Sequence, residues 1–233
     1  MSERIEVELI DSVYMRIKAD AGLKTELSDF FAFKPEGYQF SPKYKARVWD
    51  GTIRLFQAMR PVLYVGLYPH LKKFCEQRDY VLEAPASIAE QENIEDGYVE
   101  ELAEEINCKF KPRDYQIEYI NNALRNRRSL SLSPTSSGKS LIIYLIQQHY
   151  YRALGLRTLI IVPTISLVHQ MAGDFVDYGC DENDIYKIQG GVDKNTKAPI
   201  VISTWQSLVK QDKDWFGQFG CVMGDEAHTF QAK

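Results

Sequence analysis

Ser133-Pro134-Thr135-Ser136-Ser137-Gly138-Lys139-Ser140 has the residue types of a loop that cradles a phosphate, and Asp225-Glu226-Ala227-His228 supplies two adjacent carboxylates far downstream. Such a loop works because backbone N–H groups at the start of a helix point at the anion, where the helix dipole also favours negative charge. Thr135, Ser136 and Ser137 supply loop amides, Gly138 permits close backbone approach, Lys139 reaches the β- and γ-phosphates, and the Ser140 hydroxyl can ligand Mg²⁺. The pattern G-x-x-x-x-G-K-[ST] is met with one departure, Ser133 at the first glycine. Taken alone, the loop also fits a Ser/Gly-rich strand-to-helix turn with an incidental lysine. Asp225 would hold Mg²⁺ through water, and Glu226 would orient and deprotonate an attacking water. The pair follows the apolar run Cys221-Val222-Met223, which separates it from the many Asp-Glu pairs that are solvated surface. The chemistry implied is hydrolysis of a nucleoside triphosphate.

These groups need a scaffold, and from Lys111 onward the chain alternates helix and strand, the signature of an α/β domain with a parallel sheet. Helices are expected over 113–126, 139–153 and 166–178, with a short one from Thr204; strands are expected over 129–133, 157–162, 185–188, 200–203 and 221–223. Residues 1–82 read instead as a small α+β unit, with strands over 5–10 and 13–17, a helix over 25–33, a helix over 69–77 and a strand over 80–82. Trp49-Asp50-Gly51-Thr52 is expected to be a hairpin turn, since Asp-Gly readily takes positive φ, with residues 44–48 and 53–57 as its paired strands. Residues 83–107 are an acidic seam, part linker and part helix, in which Val99, Leu102, Ala103 and Ile106 recur at helical spacing. The ATP-binding domain then occupies 108–233.

A length of 233 residues and ordinary apolar and charged fractions describe a soluble globular chain. The apolar runs are too short to span a bilayer, and Met1-Ser2-Glu3-Arg4 does not open a secretory signal, so a cytoplasmic protein with no membrane partner is expected. Cys75, Cys108, Cys180 and Cys221 form no Cys-x-x-Cys pair, which argues against zinc and disulfides. The net charge of −4 hides two segments of opposite sign. Lys34, Lys43, Lys45, Arg47, Arg54 and Arg60 are opposed only by Glu36 and Asp50, whereas nine acidic residues from Glu83 to Glu105 follow with no Lys or Arg between them.

With these elements in place the chain resembles superfamily 2 helicases of the DEAH-box type. Arg113-Asp114-Tyr115-Gln116 is similar to a Q-motif-like element, Pro163-Thr164-Ile165-Ser166-Leu167-Val168-His169-Gln170 resembles motif Ia, and Ser203-Thr204-Trp205-Gln206 resembles a later strand-end motif that touches the nucleic-acid backbone. The resemblance implies that Gln116 hydrogen-bonds the amino group and adjacent ring nitrogen of adenine, that Phe110 or Arg113 stacks on the base, and that His228 couples hydrolysis to motion. Segments 44–56, 171–178, 205–210 and 215–220 extend the likeness to the recombination and repair helicases of T4-like phages, and so to nearly the whole chain. That likeness implies a RecA-like P-loop domain using ATP and Mg²⁺ to remodel branched DNA or single-strand/duplex junctions, in the infected host's cytoplasm. It also implies an amino-terminal domain that assists DNA binding. A second RecA-like domain, an arginine finger and a small Ser/Thr coupling motif are expected beyond Lys233, so the chain reads as the first part of a longer motor.

Helicases of this type grip the sugar-phosphate backbone more than the bases, and phosphate contacts position a strand without reading it. Thr164 and Thr204 at strand ends and the flexible Gly190-Gly191 are the expected contacts, although each alone also fits ordinary capping and turn formation. Lys43, Lys45, Arg47 and Arg54, with Tyr44 and Trp49 among them, fit an electropositive ribbon for DNA and equally a solvated hairpin face. Two further functions fit the same residues: a double-stranded-DNA translocase of restriction or remodelling type, and a nucleic-acid-binding module with little ATP turnover.

Overall fold

Strict alternation in the first two strands decides how the amino-terminal unit folds. β1 (Arg4–Leu9) and β2 (Tyr14–Lys18) run antiparallel and turn Ile5, Val7, Met15 and Ile17 to one buried face. Their opposite face carries cross-strand ion pairs, Arg16 with Glu8 at 3.3 Å and Lys18 with Glu6 at 3.2 Å. The structure is a computed structural model that describes residues 3–134, 136–191 and 193–229, and the chain divides into two units, 1–91 and 92–233.

In the first unit α1 (Ala21–Phe30) begins four residues before the expected helix, because the Asp20 carboxylate accepts the Leu23 N–H at 2.8 Å and caps it there. A two-residue β3 (Ala32–Phe33) follows. Strands β5 (Val62–Tyr64) and β6 (Val81–Glu83) complete a sheet of order β5-β2-β1-β6, on which α3 (Tyr68–Glu76) buries Leu71, Phe74 and Cys75. The expected hairpin is not formed. Pro42 opens a helical turn, α2 (Pro42–Lys45), Arg47 takes φ 57°, and β4 (Ile53–Arg54) pairs with β3 rather than with residues 44–48. Positive φ at Gly51 (82°) is nevertheless correct, and a Cβ there would lie 2.3 Å from the Tyr38 ring. What turns the chain is local: Asp50 accepts from Thr52 N–H at 2.9 Å and the Trp49 indole donates to Thr52 C=O at 2.9 Å.

The acidic seam is shared out. Ile88, in α4 (Ala86–Ala89), packs on the first core, whereas α5 (Tyr98–Glu105) buries Val99, Leu102 and Ala103 in the second. That second core is built by α6 (Asp114–Asn126), α7 (Lys139–Leu154) and α8 (Ile165–Tyr178) with β7 (Thr158–Val162), β8 (Ile185–Ile188), β9 (Ile200–Thr204) and β10 (Cys221–Gly224). Short helices α9 (Trp205–Leu208) and α10 (Lys213–Phe216) lie between the last two strands. All four strands are parallel in the order β10-β7-β9-β8, and β7 and β9 are almost continuously apolar and buried, as a sheet covered on both faces requires.

Residues 129–133, expected as the strand leading into the loop, form none. A strand pattern needs a partner for its ladder, and here the Leu132 carbonyl is taken by the Tyr119 hydroxyl at 2.7 Å, with Leu130 and Leu132 left 80% and 82% exposed. Among the described residues β10 therefore ends the sheet. No helix among them is long and apolar enough to cross a membrane.

Candidate functional site

Lys139 and Glu226, eighty-seven positions apart, meet at 2.5 Å. Two elements bring them together. Gly138, at φ 74°, turns the loop into α7, so Lys139 opens the helix, and a Cβ at Gly138 would stand 2.5 Å from the Gln116 amide nitrogen. On the other side β10 extends its ladder by one bond, Asp225 N–H to Ile161 C=O at 2.9 Å, which fixes Asp225 at the strand end. Glu226 follows at φ 50°, its N–H donating to the Asp225 carboxylate at 3.0 Å, and this left-handed step turns its side chain to Lys139.

The charges answer to this geometry. The Lys139 hydrogen bond and charge hold the Glu226 carboxyl below its usual range, and the same bond raises the Lys139 ammonium. Burial pushes Asp225 up, against the pull of Lys139. His228 is exposed, with Nδ1 3.4 Å from the second Glu226 oxygen. Among the described residues no group of three or more His, Cys, Asp or Glu could hold a metal by themselves. A serine hydroxyl and one carboxylate are hard oxygen donors, the small protein share that Mg²⁺ takes when phosphate oxygens and water supply the rest, so Ser140 and Asp225 fit that ion.

The loop is held from α6. The Tyr115 hydroxyl donates to Ser137 C=O at 2.8 Å, and the Gln116 amide donates to Ser137 and Gly138 C=O at 3.1 and 3.3 Å while its oxygen accepts Arg113 N–H at 2.9 Å. Gln116, expected at the adenine, is thus 4% exposed with both ends of its amide engaged on protein. Phe110 and Arg113 are exposed, as a stacking platform requires. Ser133, the departure from the glycine pattern, shares a hydrogen bond of 2.5 Å with the Ser137 hydroxyl, which in turn donates to Pro134 C=O at 2.8 Å. The serine closes the loop by side chain where glycine would leave it open. Ser136 is exposed at φ 64°, and Thr135 lies outside the described residues.

Because the sheet is parallel, Thr164, Gly190-Gly191, Thr204 and Asp225 all follow or end strands at the same sheet edge, where ligands bind in open α/β sheets. Both threonine hydroxyls have partners within the protein. Thr164 caps α8 by accepting Leu167 N–H at 3.3 Å, and Thr204, buried, bonds Ser207 at 3.0 Å. Gly190 and Gly191 are exposed, Gly191 at φ 83°. In the first unit, Lys45 and Arg47 line a cleft of about 520 Å³ with Gln39, Tyr44, Val48, Trp49 and Asp50. Lys43, Lys45 and Arg47 are exposed and make no ion pair among the described residues, whereas Arg54 is bound to Asp50 at 2.7 Å, so its charge is already answered.

Tyr115, Tyr119 and Tyr178 escaped sequence reasoning, because an aromatic residue at helical spacing reads as core. The one available signal was the i, i+4 pair Tyr115 and Tyr119 flanking Gln116 on α6.

Comparison with known proteins accords with this geometry. Residues 4–84 match the family model "DNA helicase UvsW, N-terminal", and residues 109–233 match "Type III restriction enzyme, res subunit". The chain is 39% identical over 239 residues to the ATP-dependent DNA helicase uvsW of Enterobacteria phage T4, covering 98% of this chain and 47% of that protein. It is 28% identical over 156 residues to the DNA 3'-5' translocase XPB2 of Sulfurisphaera tokodaii, covering 67% of this chain and 33% of the relative. Two crystal structures of T4 UvsW superpose with TM-scores of 0.83 and 0.84 at 38% and 39% identity, over 99% and 98% of this chain and 84% and 48% of theirs. The second unit thus has the RecA-like fold. The chain spans about half the length of its T4 relative.

Proposed function

This chain belongs to the family described as type III restriction enzyme, res subunit, and from that premise we propose that it is the ATP-binding part of a DNA helicase acting on branched DNA in phage recombination, replication and repair. The observation that carries the reading is the meeting of Lys139 with Glu226 at 2.5 Å. A lysine at the head of a helix and a carboxylate after a strand end are the two charges that phosphoryl transfer to water requires.

Lys139 is neutralised by Glu226. The γ-phosphate competes for the ammonium, and its arrival frees the Glu226 carboxylate to accept a proton from water. The water oxygen then bonds to the γ-phosphorus as the bridge to ADP breaks. Ser140 and Asp225 would hold Mg²⁺, which would supply neutralising charge to the phosphate oxygens. Gln116 and Tyr115 keep the loop carbonyls turned away from the anion, so the loop amides can face it. Phe110 and Arg113 offer the surface for adenine. The strand-end residues Thr164, Gly190, Gly191 and Thr204 contact the DNA backbone, and the Thr164 hydroxyl, which only accepts in its helix cap, keeps its proton to donate to a phosphate. Lys43, Lys45 and Arg47 add an electropositive contact from the first unit, and a second RecA-like domain would complete the motor in a chain of the T4 relative's length, of which this one spans about half.

Binding of a fluorescent ATP analogue and DNA-stimulated phosphate release are the tests, on this chain and on a version extended to the length of the T4 relative. Lys139→Ala is expected to abolish binding, and Glu226→Gln to retain binding and lose hydrolysis. Full-rate hydrolysis by Glu226→Gln would require another base and overturn the assignment. The likeness to a translocase favours one variant reading, motion along duplex DNA without strand separation, which triplex displacement in the absence of unwinding would reveal.

A further inference from the structure

Ser140 has a partner that no motif accounts for. Its hydroxyl lies 2.7 Å from the hydroxyl of Tyr178, the last residue of α8. The tyrosine is not placed there by chance rotation. Its ring packs edge-on against Phe110 at 5.4 Å and tilted against Tyr144 at 5.7 Å, and its carbonyl accepts Lys109 N–H at 3.1 Å. One ring therefore touches both the residue offered to adenine and the residue offered to the metal.

Resting on the nucleotide-site reading above, we propose that Tyr178 is a positioning residue for the magnesium ligand, its hydroxyl oxygen accepting the Ser140 proton so that the serine lone pairs are left for the cation. A hydroxyl has one proton and two lone pairs. If the proton goes to Tyr178, the serine meets the cation as an acceptor only, with its rotamer set. Ligand groups that bond a metal generally need such an outer partner to orient them. Coordination also makes the serine proton more acidic, which strengthens its bond to the tyrosine oxygen.

The test is the Mg²⁺ dependence of nucleotide affinity, read by titrating a fluorescent ADP analogue with and without Mg²⁺. Tyr178→Phe keeps both ring contacts and removes only the hydroxyl. Loss of one hydrogen bond is expected to cut the Mg²⁺-dependent gain in affinity about five-fold while leaving Mg²⁺-free affinity unchanged. Ser140→Ala is expected to remove the gain altogether, with no further loss on adding Tyr178→Phe. Equal weakening with and without Mg²⁺, no change, or tighter Mg²⁺-dependent binding by Tyr178→Phe each overturns the proposal. If Tyr178→Phe is silent while Ser140→Ala loses the gain, the positioning role alone fails. If Ser140→Ala and Lys139→Ala are also silent, the nucleotide-site reading fails and this proposal with it.

Discussion

Lys139 donates to Glu226 at 2.5 Å, so the residue proposed to hold phosphate and the residue proposed to activate water neutralise one another. Glu226→Gln weakens that internal competitor. The variant is expected to bind ATP several-fold more tightly than the parent chain, while general-base catalysis, worth about 10²–10⁴-fold, is lost. Equilibrium binding and single-turnover hydrolysis measured on one preparation check both halves.

Gly138 is required twice over, by its φ of 74° and by the 2.5 Å that would separate a Cβ from the Gln116 amide. Gly138→Ala is expected to cost about 1–2 kcal/mol in backbone strain alone and to weaken nucleotide binding at least ten-fold by displacing the Gln116 clamp. Denaturation and titration separate the two losses; unchanged nucleotide affinity would count against the clamp.

His149 gives the second unit a pH dependence of known sign. It is 6% exposed, its Nδ1 lies 2.6 Å from the Tyr98 hydroxyl, and burial lowers its affinity for a proton, with Glu92 acting weakly in the opposite sense. The unfolded chain therefore binds a proton here more readily than the folded one. The stability linked to His149 is complete above the ordinary histidine value of about 6.5 and is lost as pH falls below it. Urea midpoints of the parent chain should drop between pH 7.5 and 5.5 more steeply than those of His149→Gln.

Charge reversal at Lys45 and Arg47 is expected to weaken DNA binding and flatten its salt dependence, by about one unit of log–log slope for each phosphate no longer neutralised. Arg54→Ala should do much less, because Asp50 already holds that guanidinium at 2.7 Å. Binding isotherms over a salt series decide, and equal effects at all three positions would show that the ion pair does not withdraw Arg54.

What could be foreseen from residues alone followed from how local the physics was. The alternation of Ile5, Val7, Met15 and Ile17 is a property of each strand by itself, and it appears in the fold as a buried face. The loop at 133–140 and the carboxylate pair stood out in the sequence because the chemistry proposed for them fixes residue types at close spacing, and the fold brings Lys139 and Glu226 together. Gly51 was read correctly as a positive-φ position, yet the pairing of its flanks depended on Pro42 and on β3, outside the turn. Residues 129–133 have the alternation of a strand, but a ladder needs a neighbour, and Tyr119 binds the carbonyl instead. Tyr115 and Tyr178 were invisible as hydrogen-bonding residues because nothing in an aromatic side chain's spacing says where its hydroxyl points.

β10 has a sheet neighbour on one side only among the described residues, and Val222 on it is 56% exposed. Asp225 and Glu226 are thus cantilevered: one ladder, to β7, carries the strand from which both project. Amide exchange should run faster in β10 than in β7 or β9 for that reason. A strand added along the open edge would brace the beam from its second side, so completing the sheet and stiffening the carboxylates would be a single event.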